Sequence, residues 1–266
     1  MTSEERVPVC LTVAGSDSGG GAGIQADLKA FARCRVHGTC AITAITAQNT
    51  VGVELVTQVP GPTITAQVKA VASDMPIDAV KVGMLGDEPT IDAVVEALSL
   101  VGDAPVVVDP VMVSASGAVL LDRNAKAALI ERILPLATVA TPNLPEAREL
   151  AGLGAGADSA DLARAIQALG PEAVVVTGGH SEDGADVLFD GSGTLRIEGP
   201  RYAEGASHGS GCTHSSALAA CLAHGAELAE AARWAREIAS EAVANGLTGI
   251  GAGAGPVDAT GIIRHG

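Results

Sequence analysis

The chain has 266 residues, 47% of them hydrophobic and only 2% aromatic, so it holds enough Ala, Val, Leu and Ile for a large core and far too much apolar material to be disordered. Lys plus Arg number 16 against 31 Asp plus Glu, a formal charge of −15 with no basic run, which argues against general nucleic-acid binding yet leaves room for a locally held anion. Five cysteines without zinc spacing, no apolar run of the roughly 20 residues that span a bilayer, and a start unlike a signal peptide point to a cytoplasmic protein outside the membrane.

In chain order, Val/Ile-rich runs predict strands over 9–14, 39–46, 53–59, 79–85, 105–109, 139–141 and 173–177. Apolar spacings of three and four predict helices between them, over 24–36, 63–73, 90–101, 122–134, 145–151 and 159–169. Residues 186–190 and 194–198 read as a hairpin about Gly191-Ser192-Gly193, followed by helices over 212–224 and 228–247. Such alternation demands a mostly parallel sheet covered on both faces, with ligands at the carboxyl ends of its strands and an antiparallel edge at the hairpin. No repeat or long linker divides the chain, so a single domain over 1–266 is expected.

Three places can carry chemistry. The first strand runs into a glycine-rich turn over 14–23, where Gly21-x-Gly23-x-x-Ala26 nominally matches a dinucleotide fingerprint. The acid that such a site needs about 20 residues on is replaced by Ala47-Gln48-Asn49, which weakens a dehydrogenase reading and leaves a turn that only packs the first helix as the plain one. No Gly-Lys dipeptide occurs, so a Walker A loop is absent. The best phosphate cradle is His208-Gly209-Ser210-Gly211-Cys212-Thr213-His214, a turn opening into an Ala-rich helix, whose N–H groups and dipole favour an anion and should lower the Cys212 thiol. A packed cysteine at an ordinary helix start is the plain alternative, and Cys10, Cys34, Cys40 and Cys221 read as small core residues. Asp109, the stretch 141–146 and Thr177-Gly178-Gly179 end strands on the same side; Glu146 there reads as a helix cap or as a carboxylate recruiting Mg²⁺ together with phosphate oxygens.

Taken together, AGSDSGGGAGIQADLK over 14–29, Thr46-Ala47-Gln48-Asn49-Thr50, Lys81-Val82-Gly83-Met84-Leu85, TPNLPE over 141–146, Gly178-Gly179-His180, HGSGCT over 208–213 and Gly253-Ala254-Gly255-Pro256-Val257 follow one another along nearly the whole chain. With them the chain resembles the hydroxymethylpyrimidine/phosphomethylpyrimidine kinases of thiamine biosynthesis, in the ribokinase-like superfamily. The resemblance implies a ribokinase-like three-layer α/β/α fold with a central mostly parallel sheet, ATP and Mg²⁺ at one end of the site, and the pyrimidine beside the first strands. By similarity, Gln48 and Asp27 hydrogen-bond the pyrimidine, and Gly15, Met84 and Val111 shape its pocket. Gly209, Ser210 and Gly211 form the anion hole, and Cys212 takes the base position that most of the superfamily fills with Asp. Asn143 and Glu146 organise Mg²⁺ through water, while Asp109, Thr177 and Gly179 lie near the nucleotide; a homodimer is also implied.

Two departures stand out. Thr177 replaces the Lys of many relatives, so either Mg²⁺ or a basic residue from elsewhere must face the phosphates. Ser18 and Gly19 replace a Pro-Ser, which the turn should tolerate. The expected reaction is ATP-dependent phosphorylation of the hydroxymethyl group and then of the monophosphate. Two alternatives are a pyridoxal/pyridoxine kinase and a cysteine-nucleophile acyl transferase or hydrolase pairing Cys212 with His208 or His214, although His214 is expected to point away. With so few aromatic residues, the purine is expected between aliphatic side chains and glycine backbone, with 249–257 as a candidate wall.

Overall fold

A strand that is apolar on both faces must be covered on both, and the short runs VVV and AVVV are of this kind. In the computed structural model, which describes residues 6–114, 116–180, 184–200, 202 and 206–262, each such strand lies inside a layered α/β arrangement. The elements are β1 (Val9–Asp17), α1 (Gly23–Arg33), β2 (His37–Gln48), β3 (Val53–Gln58), α2 (Gly61–Ala72), β4 (Ala79–Val82), α3 (Glu88–Leu98), β5 (Val106–Val108) and α4 (Arg123–Ala128). They continue with β6 (Val139–Ala140), α5 (Leu144–Ala151), α6 (Ser159–Gln167), β7 (Ala173–Val176), β8 (Asp186–Phe189), β9 (Thr194–Ile197), α7 (Ser210–Ala223) and α8 (Leu228–Ala244).

The strands form one sheet in the order β3-β2-β1-β4-β5-β6-β7-β8-β9. All pairs from β2 to β7 are parallel, and both edges are antiparallel: β3 on β2, and β8 and β9 beyond β7. The ribokinase-like expectation is met, with one addition. The sequence pattern placed the antiparallel edge only at the hairpin, whereas β3 turns back on β2 and lengthens it to Gln48.

Alternation along the strands sorts the core into two layers. Val106, Val108, Val174 and Val176 pack with Ile64, Ile91, Leu129 and Leu162 from the helices of one face. Val107, Val139 and Val175 pack with Phe31, Leu218 and Ala232 from α1, α7 and α8 on the other. Each buried Val or Leu contributes about 1.5–3 kcal/mol by leaving water. The helix predicted over 122–134 is regular only to Ala128, then widens over Leu129–Ile133 and tightens over Leu134–Leu136. This keeps Leu129, Ile133 and Leu134 all buried just where Pro135 stops the ladder.

Because β1, β4, β5, β6 and β7 run parallel, the loops after them open along one rim of the sheet, and the start of α7 faces that rim. Among the described residues no helix is long and apolar enough to cross a membrane.

Candidate active site

A cavity of about 1280 Å³ opens along that rim. It is lined by Gly15, Gln48, Met84, Asp109, Val111, Asn143, Glu146, Thr177, Gly179 and the turn from Gly209 to Cys212, and the strand order places Gln48, at the end of β2, and Thr177, after β7, toward opposite ends of that rim. Of the residues to which the resemblance gives a role in the site, only Asp27 stands outside this wall.

The centre is built by two glycine-rich turns brought together from opposite ends of the chain. Asp17, the last residue of β1, accepts hydrogen bonds from the N–H groups of Gly19, Gly21 and Ala22 at 2.8, 3.0 and 2.8 Å and faces His208 Nε2 at 2.9 Å. Burial alone would raise its carboxyl, but these partners hold it below the usual carboxylate range. The turns touch at Gly209, whose φ is +85° and where a Cβ would collide with the Gly21 carbonyl oxygen. The Ser210 N–H closes the turn on the Ser207 carbonyl at 3.1 Å, leaving the N–H groups of Gly211 and Cys212 without a backbone acceptor at the positive end of α7. An anion there meets two backbone donors and a helix dipole.

Cys212 differs from expectation. The helix dipole was expected to lower its thiol, yet burial, helped by Asp109 and Asp27, pushes it up to about 12 despite Lys81 and a hydrogen bond from the Gly23 N–H. The resting side chain is therefore a neutral thiol. Cys10 and Cys221 are buried as expected; Cys34 and Cys40 are half-buried, and all five cysteines are free.

Asp27 lies on the buried face of α1 with no exposed surface, and its oxygens are taken by Lys81 Nζ at 2.9 and 3.1 Å, Thr12 Oγ1 at 2.7 Å and Ser216 Oγ at 2.7 Å. A carboxylate so enclosed is the counter-ion of Lys81. Lys81 is fully buried yet reaches the cavity wall, and lies 3.8 Å from Asp109. Gln48 keeps its place: its Oε1 accepts from Thr46 Oγ1 at 3.2 Å, and its backbone is tied on both sides to Ser18 Oγ.

At the far end, Asn143 and Glu146 form a reciprocal cap at the start of α5, with Glu146 Oε2 2.9 Å from the Asn143 N–H and Asn143 Oδ1 3.0 Å from the Glu146 N–H. The capping reading of Glu146 is thus met. Burial and the nearby Asp109 push Glu146 up to about 8, and Asp109 is itself raised, chiefly by burial, with Lys81 opposing. Two buried carboxylates that resist ionisation suit a divalent cation. Among the described residues no cluster of three or more His, Cys, Asp or Glu could hold one outright, so such an ion must draw on water and phosphate oxygens, as Mg²⁺ does.

His214, expected to point away, lines the cavity and donates through Nε2 to Asp186 at 2.9 Å. Asp186 also accepts from the Gly178 N–H at 2.7 Å and faces Arg236 at 3.5 Å, which fixes the turn after Thr177 to the β8 edge. The wall past that turn is made by Tyr202, Ala239, Ser240 and Val243. The segment 249–257 does not line the cavity; it braces the site from behind, Gly253 N–H on Thr50 Oγ1 at 3.2 Å and Val257 N–H on the His208 carbonyl at 3.1 Å. No charge stands at Thr177, but Lys126, Lys81 and Arg236 all reach the cavity, so basic residues from elsewhere do face it. The missed residues had one usable signal: a lysine inside the otherwise apolar run AVKV must find a charged partner.

Sequence comparison matches residues 17–258 to the phosphomethylpyrimidine kinase family. The chain is 47% identical to the hydroxymethylpyrimidine/phosphomethylpyrimidine kinase of Rhizobium meliloti (strain 1021), over 94% of this chain and 96% of the relative. Among solved structures it resembles the phosphomethylpyrimidine kinase of Clostridium difficile 630, with a TM-score of 0.78, 39% identity and coverage of 90% of this chain and 100% of the other. It also resembles the ADP complex of Bacillus subtilis pyridoxal kinase, with a TM-score of 0.86, 37% identity and coverage of 95% and 97%.

Proposed function

The chain belongs to the phosphomethylpyrimidine kinase family, and from that premise we propose how its cavity performs the two phosphorylations of thiamine biosynthesis. The protein is an ATP-dependent kinase that converts 4-amino-5-hydroxymethyl-2-methylpyrimidine to its monophosphate and then to the diphosphate. The observation that carries the mechanism is that the Gly209–Cys212 turn lines the same cavity as Gln48 and Thr177, whose strands β2 and β7 stand well apart in the strand order.

In-line transfer needs the acceptor oxygen, the γ-phosphorus and the leaving oxygen roughly collinear. With the pyrimidine held by Gly15, Gln48, Met84 and Val111, the nucleoside must extend to the opposite side of the phosphate turn, past Thr177 and Gly179 toward Ala239, Ser240 and Val243. The Gly211 and Cys212 N–H groups take up charge spreading over the transferred phosphoryl oxygens, and Asp109 lies on the phosphate side. Mg²⁺, held beside Glu146 and Asn143 through water, supplies charge neutralisation on the phosphates when bound.

For the first step Cys212, once its resting thiol proton has passed to solvent, accepts the hydroxymethyl proton as the oxygen attacks. For the second, the acceptor is an ionised phosphate that needs no base, and a resting neutral thiol adds no repulsion where a fixed Asp would. Cys212→Ala is expected to lower alcohol phosphorylation by about 10²–10⁴-fold and monophosphate phosphorylation far less; Cys212→Asp should spare the first step and depress the second. Equal effects of either change on both acceptors would sink this assignment.

The direct test is ADP release with Mg-ATP and, separately, the hydroxymethylpyrimidine, its monophosphate and pyridoxal, with products identified by mass. Turnover of both pyrimidines is expected; turnover of pyridoxal alone would move the chain to the activity named for its Bacillus subtilis neighbour. We further infer one kinase domain over 1–266, supported by the unbroken sheet, a cytoplasmic setting, supported by five free thiols, and a homodimer. Support for the dimer is the β2–β3 edge, where Ile45, Val51 and Leu55 are 56%, 59% and 61% exposed.

A further inference from the structure

One buried cation is tied through Asp27 to Ser216, a turn beyond Cys212 in α7. Lys81 stands in β4 with its side chain fully buried, yet it reaches the cavity wall where Cys212 also lies. Its ammonium is 2.9 and 3.1 Å from the Asp27 oxygens and 3.8 Å from Asp109. Asp27 is in turn fixed from β1 by Thr12 and from α7 by Ser216, both at 2.7 Å, so three elements hold the ammonium in one place. An apolar side chain could fill this site without the cost of desolvating two ions. Burial would lower the Lys81 pKa, but Asp27, Cys212 and Asp109 outweigh it and keep the lysine charged.

We propose that Lys81 is a positioning residue for alcohol phosphorylation: clamped by Asp27, it supplies the fixed positive charge against which the Cys212 sulfur holds its negative charge before taking the acceptor proton. This rests on the reading of Cys212 as the base. In the step, the Cys212 thiolate, formed when the resting thiol gives its proton to solvent, takes the hydroxyl proton and becomes a neutral thiol again. The acceptor oxygen forms its bond to the γ-phosphorus, and the bond from that phosphorus to the β–γ bridging oxygen breaks, its electron pair leaving with ADP. The charged groups that act on the sulfur are Lys81 from β4, Asp109 after β5 and Asp27 from α1, together with the Gly23 N–H at the start of α1. Lys81 is the only cation of the set; the two carboxylates oppose it.

The test uses two variants of the full chain whose effects have opposite sign. Asp27→Asn keeps the hydrogen-bonding shape and leaves Asp109 to hold Lys81 charged but removes a negative charge, so it should shift the ascending limb of kcat for the hydroxymethylpyrimidine to lower pH and speed iodoacetamide alkylation of Cys212 in the free enzyme. The double variant Lys81→Met/Asp27→Asn removes both charges; it should shift the limb to higher pH, slow alkylation and lower that kcat by about 30-fold. Its effect on the monophosphate acceptor should stay under about 3-fold, and it should cause no further loss in a Cys212→Ala background.

Equal losses on both acceptors, shifts of the same sign in the two variants, or a further loss without the cysteine would each overturn the proposal. If Cys212→Ala phosphorylates the alcohol at the parental rate, the base reading itself fails. If Cys212→Ala is inactive on the alcohol while the charge variants leave its pH profile unmoved, only Lys81 loses its role. Asp27→Asn alone still decides the sign should the double variant not fold.

Discussion

Two buried ion clusters flank the start of α7, and they are balanced in opposite ways. Below Cys212, one cation, Lys81, faces two carboxylates, Asp27 and Asp109, and Asp109 is raised in consequence of its burial. Below His214, one carboxylate, Asp186, faces Arg236 and an imidazole; burial would raise it, but His214, Arg236 and the Gly178 N–H outweigh that and lower it. The second cluster is electrostatically satisfied and joins the β8 edge to the turn after Thr177. The first is short of positive charge on the side where phosphate and a divalent ion must arrive. A cluster that scaffolds closes its own account, whereas one that serves chemistry leaves a charge for the ligand to complete.

If this contrast is sound, neutralising the central acid of each cluster should have opposite consequences. The largest effect belongs to Asp109→Asn, expected to cut kcat for both acceptors by about 10²-fold or more. Thermal stability in the absence of ligand should hold or rise, since a buried acid with a raised pKa destabilises the fold once ionised. A loss of stability equal to that of the next variant would erase the distinction between the clusters. Asp186→Asn should instead cost about 3 kcal/mol, a fall of roughly 6–10 °C in Tm, with kcat per folded molecule within about 3-fold.

The pH dependence sharpens the second case. Asp186 is lowered on folding, so its stabilisation is present above the unfolded carboxylate value near 4 and disappears as pH falls through the lower folded value. Parent and Asp186→Asn melting temperatures, well separated at pH 7, should therefore converge as pH falls below the unfolded carboxylate value near 4. A gap unchanged by acid would mean that packing rather than charge holds the hairpin. The smallest effect is expected from Thr177→Lys, which adds a cation on the phosphate side of the satisfied cluster: KM for ATP should fall about 3-fold with kcat nearly constant. A rise in KM would show that this end already carries enough positive charge.

What could be read from residues alone divides along the same line. The layered sheet was legible because period, punctuation and length agreed in each segment, even for the three residues of β5. The phosphate turn was legible because Gly209 to Cys212 sit together in the chain. The two clusters were not, because their members meet across 54 residues for Lys81 and Asp27 and 28 for His214 and Asp186. Asp27 could have been assigned to the interior, since it shares the buried face of α1 with Ile24, Ala30 and Phe31. The lowered pKa expected of Cys212 failed because a local dipole argument takes no account of the apolar and anionic surroundings that tertiary structure adds. The α8 part of the cavity wall escaped for a plainer reason: Ala239, Ser240 and Val243 carry no chemistry that distinguishes them from any other stretch of α8.

The contact between the Asp17 turn and His208 spans 191 residues. Its members leave the ribosome at nearly opposite ends of synthesis, so most of the sheet can assemble while the catalytic centre is still only half present. A nascent or truncated chain lacking α7 would offer the Gln48 end of the pocket without the phosphate turn, able at most to hold a pyrimidine and unable to pass phosphate to it. Competence therefore arrives late and all at once, when the C-terminal third docks against the first glycine turn.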